Sequence, residues 1–173
     1  MIAAKEAFEL AQVSGYIGRF ERNVVQAEWL LGAAHRALGH LPEAETHLTE
    51  TLTRCRRINL VELEPDILLE MARLRWAQAQ GSEITSDESA RLQEEALGLA
   101  REALEIADRC EYRLKQADIH NFLTQVALEK GDRKEARKHA EIAKERAWCD
   151  GPPHCYKPAL EQAERILESC GGG

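Results

Sequence analysis

One spacing constrains this chain more than any other. Ala44-x3-Leu48-x2-Thr51 recurs 52 residues on as Ala96-x3-Ala100-x2-Ala103, and 40 residues further as Ala136-x3-Ala140-x2-Ala143. Forty residues before Ala44 the same pattern reads Ala4-x3-Phe8-x2-Ala11. Steps of four and three put these side chains on one face of a helix. Flanking positions keep the same offsets. Leu31, Met71, Leu123 and Ala163 align, as do Ala34, Leu74, Val126 and Ile166, and Gly15, Cys55, Ala107 and Ala147. A plain bundle has no reason to hold one register over four units. A row of helix–turn–helix hairpins does, because each hairpin leaves an apolar face that only its neighbour covers. The period is 40, with 12 additional residues around 80–91. Small side chains recur where paired helices approach closely.

Ala, Leu, Glu, Gln, Lys and Arg dominate, and no stretch alternates β-branched or aromatic residues with polar ones, so the fold class is all-α. Breaks fall at 15–18, 39–42, 59–65, 80–87, 131–132 and 150–153. Asp132 and Thr85 stand where an N-cap is needed, with Glu135 and Glu88 three residues on. Pro42 suits the start of a helix, where the amide it lacks has no partner. Eight helices are expected, over 2–14, 19–38, 42–56, 64–79, 86–109, 113–130, 133–147 and 156–169. They form one repeat domain over 1–173: a half unit at 1–15, units at about 16–56, 57–110 and 111–150, and a capping helix at 155–170. The half unit at the start is a second helix without its first. The chain therefore reads as a piece of a longer protein.

At these residues the sequence resembles a tetratricopeptide repeat (TPR) array. Leu31-Gly32, Gly39 and Ala44-x3-Leu48 follow that family's helix–turn–helix pattern, and Leu123, Gly131-Asp132 and Ala136-x3-Ala140 repeat it. Ala4-x3-Phe8-x2-Ala11 matches the second-helix half. The departures are a period of 40 against the family's about 34, Glu28 in the leading Trp slot with Trp29 beside it, His35 in the Tyr slot, and no closing Pro. Arg109-Cys110-Glu111-Tyr112, Gly131-Asp132 and Trp148-Cys149-Asp150-Gly151-Pro152-Pro153 resemble the long-helix C-terminal TPR regions of bacterial NACHT or STAND signalling ATPases. The resemblance implies a right-handed superhelix acting as a non-enzymatic interaction scaffold. It also implies an alternative role, as the sensor or autoinhibitory region of such an ATPase.

No catalytic motif is present: neither a phosphate loop, nor G-x-G-x-x-G, G-x-S-x-G or H-E-x-x-H. Neither an enzyme nor a cofactor is expected. No apolar run approaches the roughly 20 residues of a membrane span. Met1-Ile2-Ala3-Ala4-Lys5-Glu6 puts charge where a signal peptide is apolar, and the five cysteines form an odd, scattered set. A cytoplasmic location follows as the expectation. Cys149, His154 and Cys155 invite a zinc reading, but their spacing fits no common zinc motif, and packed thiols at a Gly-Pro-Pro corner are the expectation. Arg133, Lys134, Arg137, Lys138, Lys144 and Arg146 crowd one helix and Arg54, Arg56 and Arg57 another, the basis for an alternative phosphate or nucleic-acid role. Glu135, Glu141 and Glu145 interleave the first set, and the net charge is −7, so a salt-bridged outer face is expected instead. His35 and His120 are read as hydrogen-bonded packing residues, and the segment 81–88 as a longer turn plus extra helix.

In a stacked hairpin array the first helices line the concave side. Trp29, Ala33 and Arg36 lie at i, i+4 and i+7, with Leu69, Arg73 and Trp76, then Asn121, Gln125 and Leu128, in the same register. Trp29, Arg36, Arg73, Trp76, Asn121 and Gln125 are therefore the candidate groove for a protein or peptide ligand, or for another domain of the parent chain. Arg36 and Arg73 favour an acidic segment or a carboxylate. As exposed residues they are expected to tolerate exchange for Glu without loss of stability.

Overall fold

The computed structural model describes residues 17–82, 84–150 and 154–170. Seven helices and no strands are found among them: α1 (Ile17–Ala37), α2 (Leu41–Arg57), α3 (Glu64–Gln78), α4 (Ser86–Arg109), α5 (Arg113–Glu129), α6 (Arg133–Trp148) and α7 (Lys157–Cys170). Every boundary lies within two residues of the spacing-based expectation. The eighth expected helix, 2–14, lies outside the described residues. No helix of the described residues is long and apolar enough to cross a membrane.

Local chemistry sets the ends. The Thr85 side chain accepts the Glu88 N–H at 3.2 Å, and the Asp132 carboxylate accepts that of Glu135 at 3.0 Å, each satisfying one donor of a helix start. α3 ends on a right-handed Ala79, but four other C-termini close with a recurring left-handed residue: Gly39 and Gly131 after α1 and α5, Asn59 and Glu111 after α2 and α4. At each, the next N–H reaches back to a carbonyl of the last turn: His40 to His35, Leu60 to Cys55, Tyr112 to Ala107 and Asp132 to Ala127, at 2.8–3.0 Å. The same turn thus recurs in register at 39 and 131 and at 59 and 111, and is missing at 79, where the inserted residues follow. The inserted residues divide between a longer turn before Ser86 and extra helix, since α4 has 24 residues against 17 in α2 and 16 in α6.

The helices pair as α1/α2, α3/α4 and α5/α6, and each pair meets the next in chain order, with α7 laid on α5 and α6. The first helices α1, α3, α5 and α7 also touch one another in turn; α2, α4 and α6 do not. Of the sixteen seam positions aligned from the sequence, the twelve among the described residues are all fully buried: Ala44, Leu48, Thr51 and Cys55 on α2, Ala96, Ala100, Ala103 and Ala107 on α4, Ala136, Ala140, Ala143 and Ala147 on α6. An Ala-lined face lets the axes approach until backbone meets side chain, and methyl groups fill the seam. The main core gathers Ile67, Leu68, Leu69, Ile106, Ile119 and Phe122 around α3, α4 and α5, and a smaller cluster joins Ala117, Ala147, Ala159 and Leu160 where α7 docks.

In one place exposure departs from the register. Leu74 of α3 packs on Ala44 and Leu48 of α2, with Met71 against the same cluster. The aligned residues of α1 are Ala34, which is exposed, and Leu31, which is 45% exposed. Register thus fixes which way a side chain points along the array, and its burial depends on the helix placed against it.

Candidate functional site

One face of the molecule, built by α1, α3, α5, Tyr156 and α7, carries two adjacent depressions that meet at Arg73. The first, of about 460 Å³, lies between Trp29 on α1, Leu69 and Arg73 on α3, Leu114 and Asp118 on α5, and Tyr156. The second, of about 330 Å³, lies between Arg36, Arg73, Trp76, Gln125 and Glu129, with Gln162 of α7 at its edge. Five of the six residues selected by spacing line one or both depressions.

Asn121 is placed differently. Its side chain is 1% exposed, and its Nδ2 donates to the Ala159 carbonyl at 3.0 Å, fastening α7 to α5. The register explains why. Trp29, Leu69 and Asn121 occupy one row, and that row falls where each first helix meets the next. Leu69 is buried and Trp29 half-buried for the same reason. The open row is the adjacent one, where Arg73 is half-buried and Gln125 exposed.

The two arginines are not free. Glu70, only 5% exposed, receives the Arg36 Nε at 2.9 Å on one carboxylate oxygen and the Arg73 guanidinium on the other. Two guanidiniums answer one buried carboxylate, and the Arg36 bond joins α1 to α3. Arg36 and Arg73, expected as exposed residues, are instead half-buried counter-charges to a buried acid. Glu70 stands three residues before Arg73, a spacing that announces the pair within α3. Nothing local announces the third member, because Arg36 arrives from another helix.

Other polar contacts on this face are also tertiary. Trp76 is buried, and its Nε1 donates to Glu129 at 2.6 Å while Lys130 lies over the ring at 5.5 Å. Lys115 pairs with Asp66. The Tyr156 hydroxyl donates to Asp118 at 3.2 Å. Burial pushes the Asp66 carboxyl above the usual range against the pull of Lys115. Burial does the same to Asp118, and it raises the Tyr156 phenol, which the Asp118 charge raises further. Trp29 differs from Trp76: its Nε1 is buried and has no acceptor among the described residues. Nothing in the sequence singles out the site carboxylates Asp66, Glu70, Asp118 and Glu129, which a Glu- and Asp-rich helical surface hides.

The remaining candidates are spread over other surfaces. On α6, Arg137 pairs with Glu141 at 3.0 Å, Lys138 with Glu135 at 2.9 Å and Lys144 with Glu164 of α7 at 3.0 Å. Arg56 bridges Glu64 and Glu102, and Arg54 lies 3.5 Å from Glu28. Cys155 packs with Tyr156 against the α7 docking cluster, and the Cys149 Sγ lies 3.8 Å from the Arg146 carbonyl. The corner residues 151–153 lie outside the described set. Among the described residues no three His, Cys, Asp or Glu side chains gather in a metal-binding arrangement. His120 is buried and shares a 2.9 Å Nδ1···Nδ1 hydrogen bond with His139, while His35 stacks on His47. No protein-family model and no curated protein matches this sequence.

Proposed function

We propose that this chain is a non-enzymatic recognition module: a TPR-like, right-handed superhelical array, cytoplasmic, whose first-helix face takes up a peptide or protein segment from a separate partner or from its own parent chain. The observation that carries the reading is the pair of open depressions joined at Arg73 on the face where successive first helices converge. Contact among first helices alone bends a stack toward that side, and the inner surface of such a stack is an extended site fitted to an extended ligand. Half-buried Trp29 and an exposed amide at Gln125 supply an aromatic anchor and adaptable hydrogen bonding, the mixture that dominates recognition surfaces.

The test is a peptide-array screen with the purified chain, followed by titration of the peptides that bind. Gln125→Arg, on the open row, is expected to weaken binding at least about tenfold with melting unchanged. The outer-face double variant Arg137→Glu/Lys138→Glu is expected to bind as the parent does. Outer-face residues that control binding while Gln125 is silent would overturn the assignment of the face.

A further inference from the structure

Building on the peptide-binding reading, we propose that the depression between Trp29 and Asp118 is the anchor site for a lysine or arginine side chain of the bound segment. The aliphatic stem lies against Trp29 and the exposed Leu114, and the cation meets the Asp118 carboxylate.

Charge complementarity carries the assignment. Three carboxylates, Asp66, Glu70 and Asp118, and two bases, Arg73 and Lys115, line this depression. Glu70 is answered by Arg73 and by Arg36, and Asp66 by Lys115. Asp118 has no ion-pair partner among the described residues; its one side-chain hydrogen bond comes from the neutral Tyr156 hydroxyl. Arg73 and Lys115 attract its charge from a distance, but each is bonded to another acid, so Asp118 is the lining carboxylate left without an ion pair.

Each class of guest then faces a different cost. An acidic side chain would bring like charge to Asp118, while the two arginines that the sequence suggested for it are occupied by Glu70. A purely apolar side chain would strip water from Asp118 and return no counter-charge. A lysine or arginine avoids both costs, because its methylene stem covers apolar surface while its head stays with a charge partner, and the like charges of Arg73 and Lys115 are offset by Glu70 and Asp66. Leu114 is 46% exposed at the rim, the surface such a stem would cover, and the Trp29 ring adds a face attractive to a cation. The volume of about 460 Å³ lies within the range of small-ligand sites and holds either side chain.

The experiment uses the full chain and capped peptides of about ten residues with randomised flanks and one central position fixed as Lys, Arg, norleucine or Glu. Binding is read by fluorescence anisotropy. Lys and Arg peptides are expected to bind about fivefold to tenfold more tightly than norleucine peptides, and Glu peptides more weakly still, with the difference shrinking as salt rises. Asp118→Asn keeps an oxygen to accept from Tyr156 and removes the charge. It is expected to bring the Lys-to-norleucine ratio to about one, with melting unchanged or raised. Preference for Glu or norleucine in the parent chain, or a Lys preference that survives Asp118→Asn, overturns the anchor assignment. Peptides of another chemistry that bind in a Gln125-dependent way would leave the recognition module standing and remove only the anchor. Failure of every library member to bind overturns both.

Discussion

At the scale of single residues, the buried acid of α3 governs more than the arginines that the spacing selects. Removing Arg36 and Arg73 together by Ala strands the Glu70 carboxylate in a site 5% exposed. Unfolding by urea should show a loss of roughly 2–4 kcal/mol, somewhat under the value for a fully buried pair because both guanidiniums keep contact with solvent. Adding Glu70→Leu to that double variant should recover most of it, and a double variant of parental stability would show Glu70 to be effectively solvated. His120 makes a second residue-scale prediction. Burial, aided by repulsion from His139 and then Arg146 and Lys138, holds its imidazole down to about 4, and burial also lowers His139 despite the Glu135 carboxylate beside it. A depressed histidine contributes stability that is complete above the unfolded value near 6.5 and is lost as pH falls from there toward about 4. Between pH 7.5 and 5 the parent chain should therefore lose about 1–2 kcal/mol that a His120→Gln variant does not lose. Parallel pH profiles for the two would show that His120 carries no such linkage.

At the scale of the element, two glycines inside helices make opposite predictions from one structure. A Cβ on Gly32 of α1 would stand 2.7 Å from Cγ and 2.8 Å from Cδ2 of Leu48, a fully buried side chain of α2 with no room to swing away. A Cβ on Gly98 of α4 meets nothing within 4 Å. Alanine is the better helix former by about 1 kcal/mol at either place. Gly98→Ala should accordingly raise stability by about 0.5–1 kcal/mol, whereas Gly32→Ala should lower it by about 1–3 kcal/mol as the α1/α2 seam is forced open. Equal shifts for both would mean that the seam has slack. The same reasoning applies to the alanine row of α6, where Ala136→Leu should cost roughly 1–3 kcal/mol by overpacking a fully buried position.

At the scale of the whole molecule, contacts run between neighbours and next neighbours in chain order, so stability should be distributed as in a one-dimensional stack. The largest core cluster runs from α1 to α5 and draws most of its residues from α3 and α4, and the α7 docking cluster is smaller. Native-state hydrogen exchange should find the slowest amides in α3 and α4, with α7 opening first. Ala140→Asp, which buries a charge in the third hairpin, should strip protection from α6 and α7 while α3 keeps most of its own. Simultaneous loss of protection in every helix would instead mark the molecule as one cooperative unit.

Local sequence specifies the helices, their ends and the register of the seam. These rest on local physics: periodicity of apolar residues, side-chain caps at Thr85 and Asp132, and small residues at a fixed offset wherever two axes meet. It also determined which helix faces turn toward the Arg73 depressions, because Arg73 and Gln125 share a register row. Packing between helices settles how far each row is covered. Asn121 disappears under α7 and Trp76 sinks beneath Glu129 and Lys130, while Leu31, on the buried side by register, stays exposed. It alone decided which charges cancel, since Glu70 gathers arginines from two helices and Asp118 receives only a phenol. Spacing along a helix specifies direction; distance to the neighbouring helix, which no local pattern encodes, specifies burial and charge pairing.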